Sequence, residues 1–496
     1  MIRETFDSII RSDIDDLTLR KGLSELRKEL KEEGGVHALR YYMEGKEDPF
    51  PSFLCKEDAK VRKNTALLMG DLGNNAYVSD LYQAYEKEDK RFIKSSYLEA
   101  MKDLNYEEYL PNFKSRLEEL SEVEITEENK KHVSEEMRAL SNLVVAYEGI
   151  RMHTFKGMHE LSNLVLLTNR DHIDVTMDQL KSMRAKAFNA GVMVETDELE
   201  EILEIRTYEE MLFMVDGMKA CYPDPDKAAK TIVNSSLMEF LTKRHKGKAP
   251  FYFRIELKSK MELDKKSQFT KRLSSEIERL SKRELINSTS NYEFEIRLIQ
   301  NKDGNYNMLV KLYTILDKRF RYRKEVIPAS IRPTNAALTV ALAKDYLKAD
   351  AQILDPFCGV GTMLIERHKY LNANTMYGID CYGDAIEKAR VNTEAARQII
   401  HYVNRDFFEF KHDYLFDEVI TDMPFVTGRK TEEEIYDLYY RFFTKIREHL
   451  KEDAVLILYS HNRDMIRALS KTKGFIIEKE FEISRKEGTY VYVLRY

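Results

Sequence analysis

The sequence predicts a multidomain chain: an N-terminal all-α array, an α/β middle, and a C-terminal α/β domain of the Rossmann-like, doubly wound kind. Three observations carry this. Residues 1–150 have few glycines, a helical apolar period and an internal repeat. Beyond residue 155, strands and helices alternate. Near residue 353 an apolar strand runs into a carboxylate and a Gly-x-Gly turn that opens a helix.

At 496 residues the chain exceeds a single core, and three or four domains are expected. No apolar run reaches the 18 residues needed to span a membrane, and the N-terminal residues suit a charged amphipathic helix rather than a signal peptide. Cys55, Cys221, Cys358 and Cys381 form no Cys-x-x-Cys pair, which points to a reducing, cytoplasmic setting and away from structural zinc. Net charge is −6, yet residues 243–283 hold 14 Lys/Arg against 5 Asp/Glu, whereas residues 118–136 are acid-rich. A basic module on an acidic chain fits contact with RNA over a limited face, with Lys271, Arg272, Lys282 and Arg283 as candidates. A pair of solvated faces would fit equally.

In the first 150 residues, the stretch from Val61 to Leu72 aligns with that from Ile93 to Leu104 at an offset of 32. Asp-x-x-Val-Arg at Asp58–Arg62 resembles the start of a HEAT repeat, a helical hairpin that buries its apolar face on copies of itself. Residues 155–225 read as a strand at 164–168, a helix at 174–188, a strand at 191–195 and a helix running on through 202 to 207. Residues 226–316 give a strand at 251–257 and a basic helix at 267–281. Strands at 292–298 and 307–312 follow, joined across Asp303-Gly304-Asn305, a hairpin signal. Residues 320–496 form the last domain. It closes on two strands, 474–481 and 489–495, and a terminal antiparallel hairpin is foreign to dinucleotide-binding folds.

Within that domain three strand ends carry the chemistry. Ile353-Leu354 leads into Asp355-Pro356-Phe357-Cys358-Gly359-Val360-Gly361-Thr362, where glycines let a ligand approach the backbone. The next strand ends at Asp380, about 20 residues beyond the glycines, a spacing suited to a ribose diol. A third strand ends in Asp422-Met423-Pro424-Phe425. No histidine has metal-ligand spacing, no metal is expected, and only His461 falls near these ends. Cys358 lies inside the loop and is not expected to act as a nucleophile.

With these pieces placed, the chain resembles the THUMP-domain-bearing, S-adenosylmethionine-dependent RNA methyltransferases, in particular the guanine-N2 branch. Phe320-Arg321-Tyr322-Arg323 and Ile331-Arg332-Pro333-Thr334-Asn335 resemble the family's lead-in. Asp355–Thr362 resembles its cofactor loop, and Asp422-Met423-Pro424-Phe425 the Asp-Leu-Pro-Phe form of its target-base motif. Residues 155–225 look like its ferredoxin-like unit and 226–316 like THUMP; residues 1–150 lie outside the likeness.

The resemblance implies a class I methyltransferase fold for residues 320–496. Its cofactor, S-adenosylmethionine, would be held by Asp355, Phe357, Gly359, Gly361, Thr362 and Arg332, with Asp380 and Cys381 at the ribose. Asp406 and Phe407 would meet the adenine, with a helix N-cap as the alternative for Asp406. Asp422 and the Met423 carbonyl would accept hydrogens from an exocyclic amine beside Pro424, and Phe425 would stack on the base. Met423 departs from the commoner Pro at that position. The expected activity is guanosine-N2 methylation of tRNA. Ribosomal RNA, DNA adenine N6, or a non-catalytic scaffold are the alternatives, and the helical array would serve a protein partner.

Overall fold

The computed structural model describes residues 2–11, 13–123, 126, 128–149, 152–218, 220–328, 330–425 and 431–496. It divides into two units: residues 1–152 with 278–286, and residues 153–277 with 287–496.

The first unit is helical, and its repeat is visible in its burial. Asp58 opens helix Ala59–Leu72 by accepting from the N–H groups of Lys60 and Val61 at 2.7 and 2.9 Å, two donors that a helix start leaves open. Val61, Ala66, Leu68, Met69 and Leu72 are buried. So are the residues 32 positions on: Ile93, Leu98, Ala100, Met101 and Leu104. Helices Asp16–Glu29, Ala59–Leu72, Arg91–Met101 and Lys130–Glu148 pack one on the next in a row. At Gly70 the row is tight: a Cβ there would sit 2.6 Å from the Ala100 carbonyl oxygen.

Among its described residues, the second unit contains two large sheets and a two-stranded pairing of Thr154–Phe155 with His245–Lys246. The first has β1 (Ser162–Thr168), β2 (Arg184–Phe188), β3 (Gly191–Thr196), β4 (Tyr208–Met214), β5 (Phe251–Lys258), β6 (Phe294–Gln300) and β7 (Tyr306–Leu312). These strands lie in the order β2-β3-β1-β4-β7-β6-β5, so residues 155–225 and 226–316 contribute to one continuous sheet. The two halves meet where Val310 pairs with Phe213. The parallel pair β5 and β6 is joined through the long helix Leu263–Leu280, as a parallel connection requires.

Two expectations for this sheet do not hold. The helix expected over 174–188 exists only at Ile173–Met177, and Arg184–Phe188 is instead strand β2, hairpinned onto β3. Arg184-Ala185-Lys186-Ala187 alternates charged and small residues with period two. The turn at Asn189-Ala190 delivers Gly191, where a Cβ would collide with the Leu166 carbonyl. The helix expected to run to 207 stops at Glu204, and β4 begins at Tyr208.

The second sheet holds β8 (Ala351–Asp355), β9 (Ala373–Asp380), β10 (His401–Asn404), β11 (Phe416–Asp422), β12 (Leu450–Ser460), β13 (Ile476–Ser484) and β14 (Thr489–Arg495). Their order is β10-β9-β8-β11-β12-β14-β13. The first five are parallel, and β14 runs antiparallel to both β12 and β13. The expected C-terminal hairpin is therefore present. Ile353 and Leu354 of β8 are fully buried, and β8 is central, flanked by β9 and β11. Chain order reverses there, which opens a crevice at the carboxyl ends of all three. Among the described residues, no helix is long and apolar enough to cross a membrane.

Candidate cofactor and acceptor site

A cavity of about 410 Å³ occupies that crevice. Asp355, Phe357, Gly359, Thr362, Asp380, Cys381, Asp406 and Phe407 line it together with Asp422, Met423, Pro424 and Phe425. Residues more than 60 positions apart in sequence are thus brought to one place by the strand ends that carry them.

The loop after β8 is built around two left-handed glycines. Gly359 has φ +51°, and no atom lies within 4 Å of where its Cβ would be, so the backbone there faces open space that a ligand can fill. Gly361, at φ +81°, is not in the lining; a Cβ there would collide with the Tyr402 hydroxyl. Its role is packing. Asp380 secures the loop from β9: Oδ2 accepts from Gly359 N–H at 3.0 Å and Oδ1 from Tyr382 N–H at 2.9 Å. Each oxygen keeps a lone pair for a hydroxyl. Asp406 is the N-cap of a short 3₁₀ turn, accepting from Phe408 N–H at 2.9 Å, and also faces the cavity. Its N-cap role is therefore present, on a residue that the cavity wall also includes.

Asp355 is 1% exposed and accepts from Phe357 N–H at 3.1 Å. Burial pushes its carboxyl up to about 7, with the nearby Asp380 charge acting in the same direction. Burial also pushes the Asp422 carboxyl up, to about 8, helped by the charge of Asp355. Among the described residues, Oδ1 of Asp422 is buried without a hydrogen-bond partner, and so is Oγ1 of Thr362. Buried polar atoms left open on a cavity wall are the mark of a binding site. Burial raises the Cys358 thiol well above its ordinary range, which keeps it protonated and unreactive.

Met423 N–H donates to the Tyr459 carbonyl at 2.8 Å, tying the motif to β12, and its side chain is fully buried in the core beneath. That burial explains how an apolar residue replaces the commoner proline. Phe425 stacks on His461, centroids 4.0 Å apart at 25°; burial lowers the His461 pKa, which favours the neutral ring.

Sequence reasoning missed part of the wall. Ile327, Ser330 and Ile331 reach the cavity from a strap ahead of helix Pro333–Leu342. Asn392 rivets that strap down: its Oδ1 accepts from Lys324 and Glu325 N–H, and its Nδ2 donates to the carbonyls of Glu325 and Val360. Tyr382, Phe408, Leu438 and Arg441 also line it. Arg332, expected among the cofactor residues, is the N-cap of helix Pro333–Leu342 and does not line the cavity. Helix geometry turns it away while Ile331 faces in.

The candidate RNA-binding residues differ from one another. Lys271 and Lys282 are exposed. Arg272 forms a two-point ion pair with Asp226 at 2.9 and 2.6 Å. Arg283 is mostly buried, engaged by Glu278 at 3.3 Å and by Ser141. Its guanidinium serves the fold of its own unit rather than an open surface. Among the described residues, no cluster of His, Cys, Asp and Glu could hold a metal ion.

Residues 321–487 match the UPF0020 family, described as the RMKL-like methyltransferase domain. No curated protein matches the chain. Among solved structures, TrmN from Thermus thermophilus superposes with a TM-score of 0.51 at 17% identity, over 67% of this chain and 99% of its own. SMU.472, described as a proposed methyltransferase and complexed with SAH, gives 0.52 at 14% identity, over 68% and 98%. A Listeria monocytogenes protein described, by prediction, as an N6-adenine-specific DNA methylase gives 0.52 at 16% identity, over 67% and 96%. At these identities the likeness is one of fold. Matched family model, strand order and open cavity agree on a methyltransferase domain over residues 321–487.

Proposed function

We propose that the protein methylates an exocyclic amine of an RNA base, guanosine N2 in tRNA. The observation that carries this reading is the buried, unpartnered Oδ1 of Asp422 on the cavity wall. An acceptor with no partner there calls for a donor from the substrate, and an exocyclic amine supplies one. Bound S-adenosylmethionine supplies an electrophilic methyl group. The chain's own contribution is placement. Asp422 Oδ1 accepts a hydrogen bond from the amine, turns the nitrogen lone pair toward the cofactor loop, and takes up the proton that the methylated nitrogen sheds. A carboxyl pushed up to about 8 has the proton affinity for that step. Phe425, backed by His461, offers the base a stacking face, and the base must leave its helix to reach it.

The first sheet of the second unit would act as the THUMP-like grip on RNA, through exposed Lys265 and Lys271 and half-buried Lys266 on helix Leu263–Leu280. The helical array would serve a protein partner. Ribosomal RNA is a second source of the same nucleotide. Adenine N6 in DNA is a second reading, favoured by the Asp-x-Pro-Phe motif, which suits that amine equally. Nucleoside mass spectrometry on RNA and DNA from a deletion strain tests the proposal. Loss of N2-methylguanosine from tRNA is expected. Loss of N6-methyladenosine from DNA, with RNA unchanged, would replace it with the second reading.

A further inference from the structure

We infer that Arg206 is a positioning residue for the methyltransferase site, although it lies just ahead of a strand of the other sheet of its unit. Arg206 lies between helix Leu199–Glu204 and β4, far from the cavity in sequence. Its Nε and Nη2 each donate at 2.7 Å to the two oxygens of Glu366. The Tyr322 hydroxyl adds a third hydrogen bond at 2.6 Å. The Glu366 side chain is 0% exposed, so the pair is a shielded, two-point contact with fixed geometry rather than a solvated surface pair. The guanidinium also lies 4.6 Å from the Phe320 ring centroid, in the segment that continues through Tyr322 into the cavity-lining strap.

What Glu366 belongs to gives the pair its consequence. It sits on helix Thr362–Tyr370, one turn from Thr362, which lines the cavity and whose buried Oγ1 has no partner among the described residues. Residues four apart lie on one helix face, so a pull on Glu366 acts along the edge that presents Thr362. The next residue, Arg367, anchors the opposite side through a fully buried pair with Glu418 of β11, both hydrogen bonds 2.8 Å. The helix that forms the cofactor wall is therefore held between two ion pairs. One comes from its own sheet and one from the neighbouring sheet. Occupancy of the cofactor cavity and the seating of β4 against this domain are coupled through Arg206.

The test uses the full chain and S-adenosylhomocysteine as probe, with Kd by calorimetry and fold by thermal melt. Glu366→Gln and Arg206→Gln should each weaken binding roughly tenfold, within the ordinary range of coupling between sites, at a temperature where the melt shows both folded. Arg206→Lys, which keeps the charge but loses the two-point fork, should recover part of that loss. The double variant should bind no worse than the weaker single one, because the two changes remove one interaction. Coupling is reciprocal, so the probe should slow amide exchange over residues 205–214 in the native chain and much less in Glu366→Gln. If Arg206→Gln fails to fold, Arg206→Lys and Glu366→Gln decide the matter on Kd alone. A lower melting temperature with Kd within twofold of native in every folded variant would overturn the inference, leaving a staple with no influence on the site.

Discussion

The backbone N–H of Gly359 donates to the carboxylate of Asp380, 3.0 Å away and on the neighbouring strand end. One side chain thus sets the shape of the glycine loop and stands where a ribose diol would bind. Asp380→Ala should weaken S-adenosylmethionine binding by about 1–3 kcal/mol through both losses. Calorimetry on the purified chain checks this, and unchanged affinity would remove Asp380 from the cofactor site.

The two loop glycines should respond differently to alanine. Both have positive φ, which costs about 1 kcal/mol for a residue with a Cβ. At Gly359 the added methyl meets open space, whereas at Gly361 it meets Tyr402. Gly361→Ala should therefore lower Tm distinctly more, and Gly359→Ala should lose cofactor affinity with a smaller change in Tm. Melts and titrations on the pair would expose an inverted order at once.

Asp422→Ala should leave cofactor affinity nearly unchanged, since the open carboxylate oxygen faces the acceptor. The methyl-transfer rate should drop by roughly 10²–10⁴-fold, the range for losing a positioned proton acceptor. Single-turnover transfer of radiolabelled methyl to tRNA measures it. Full activity in this variant would refute the role given to Asp422.

The same residue should leave a signature in stability. An unfolded aspartate titrates near its ordinary value of 3.8, and the folded one is pushed up to about 8, so the folded chain binds that proton more tightly. The stabilisation is complete below about pH 4 and is lost as pH rises toward 8. Asp422→Asn cannot ionise. Relative to the native chain it should raise Tm at pH 8 and change it little at pH 4. A lower Tm at pH 8 would show that the ionised carboxylate is favoured in the fold after all.

On the RNA side, the lysines of helix Leu263–Leu280 and the two-point-paired Arg272 should separate. Replacing Lys265, Lys266 and Lys271 should flatten the dependence of affinity on salt by about 0.7–0.9 for each phosphate no longer neutralised. Arg272, already held by Asp226, should contribute less. A filter-binding series at several salt concentrations distinguishes them, and equal slopes in native and triple-lysine variants would assign helix Leu263–Leu280 to solvent.

Much of the C-terminal domain was legible because strong, redundant signals agree there. Ile353 to Thr362 combines a buried strand, a carboxylate and two glycines in a fixed order, and each needs the others. The 32-residue repeat was legible for a similar reason, since matched apolar positions come out equally buried. Residues 174–188 failed for want of such agreement. Arg184 to Phe188 is short, flanked by a real helical turn, and its period of two extends over only a few residues. Arg332 failed differently. Neighbouring residues of a loop point opposite ways, and only the start of helix Pro333–Leu342 decides that Ile331 and not Arg332 faces the cavity. Asn392 carried no local signal at all, because its four hydrogen bonds join segments more than 30 residues away.

Strand β13 is the last strand at its side of the second sheet, and its backbone is not left bare. Asn169 Nδ2 donates to the Ile483 carbonyl at 2.7 Å and His172 Nε2 to the Glu482 carbonyl at 2.8 Å. Both donors come from the turn after β1, in the region that precedes the methyltransferase domain. A fragment cut at residue 320 would carry the whole cofactor crevice and yet expose this strand's hydrogen-bonding groups to any other extended chain. Its failure in solution would take the form of self-association growing with concentration, not of a misbuilt crevice.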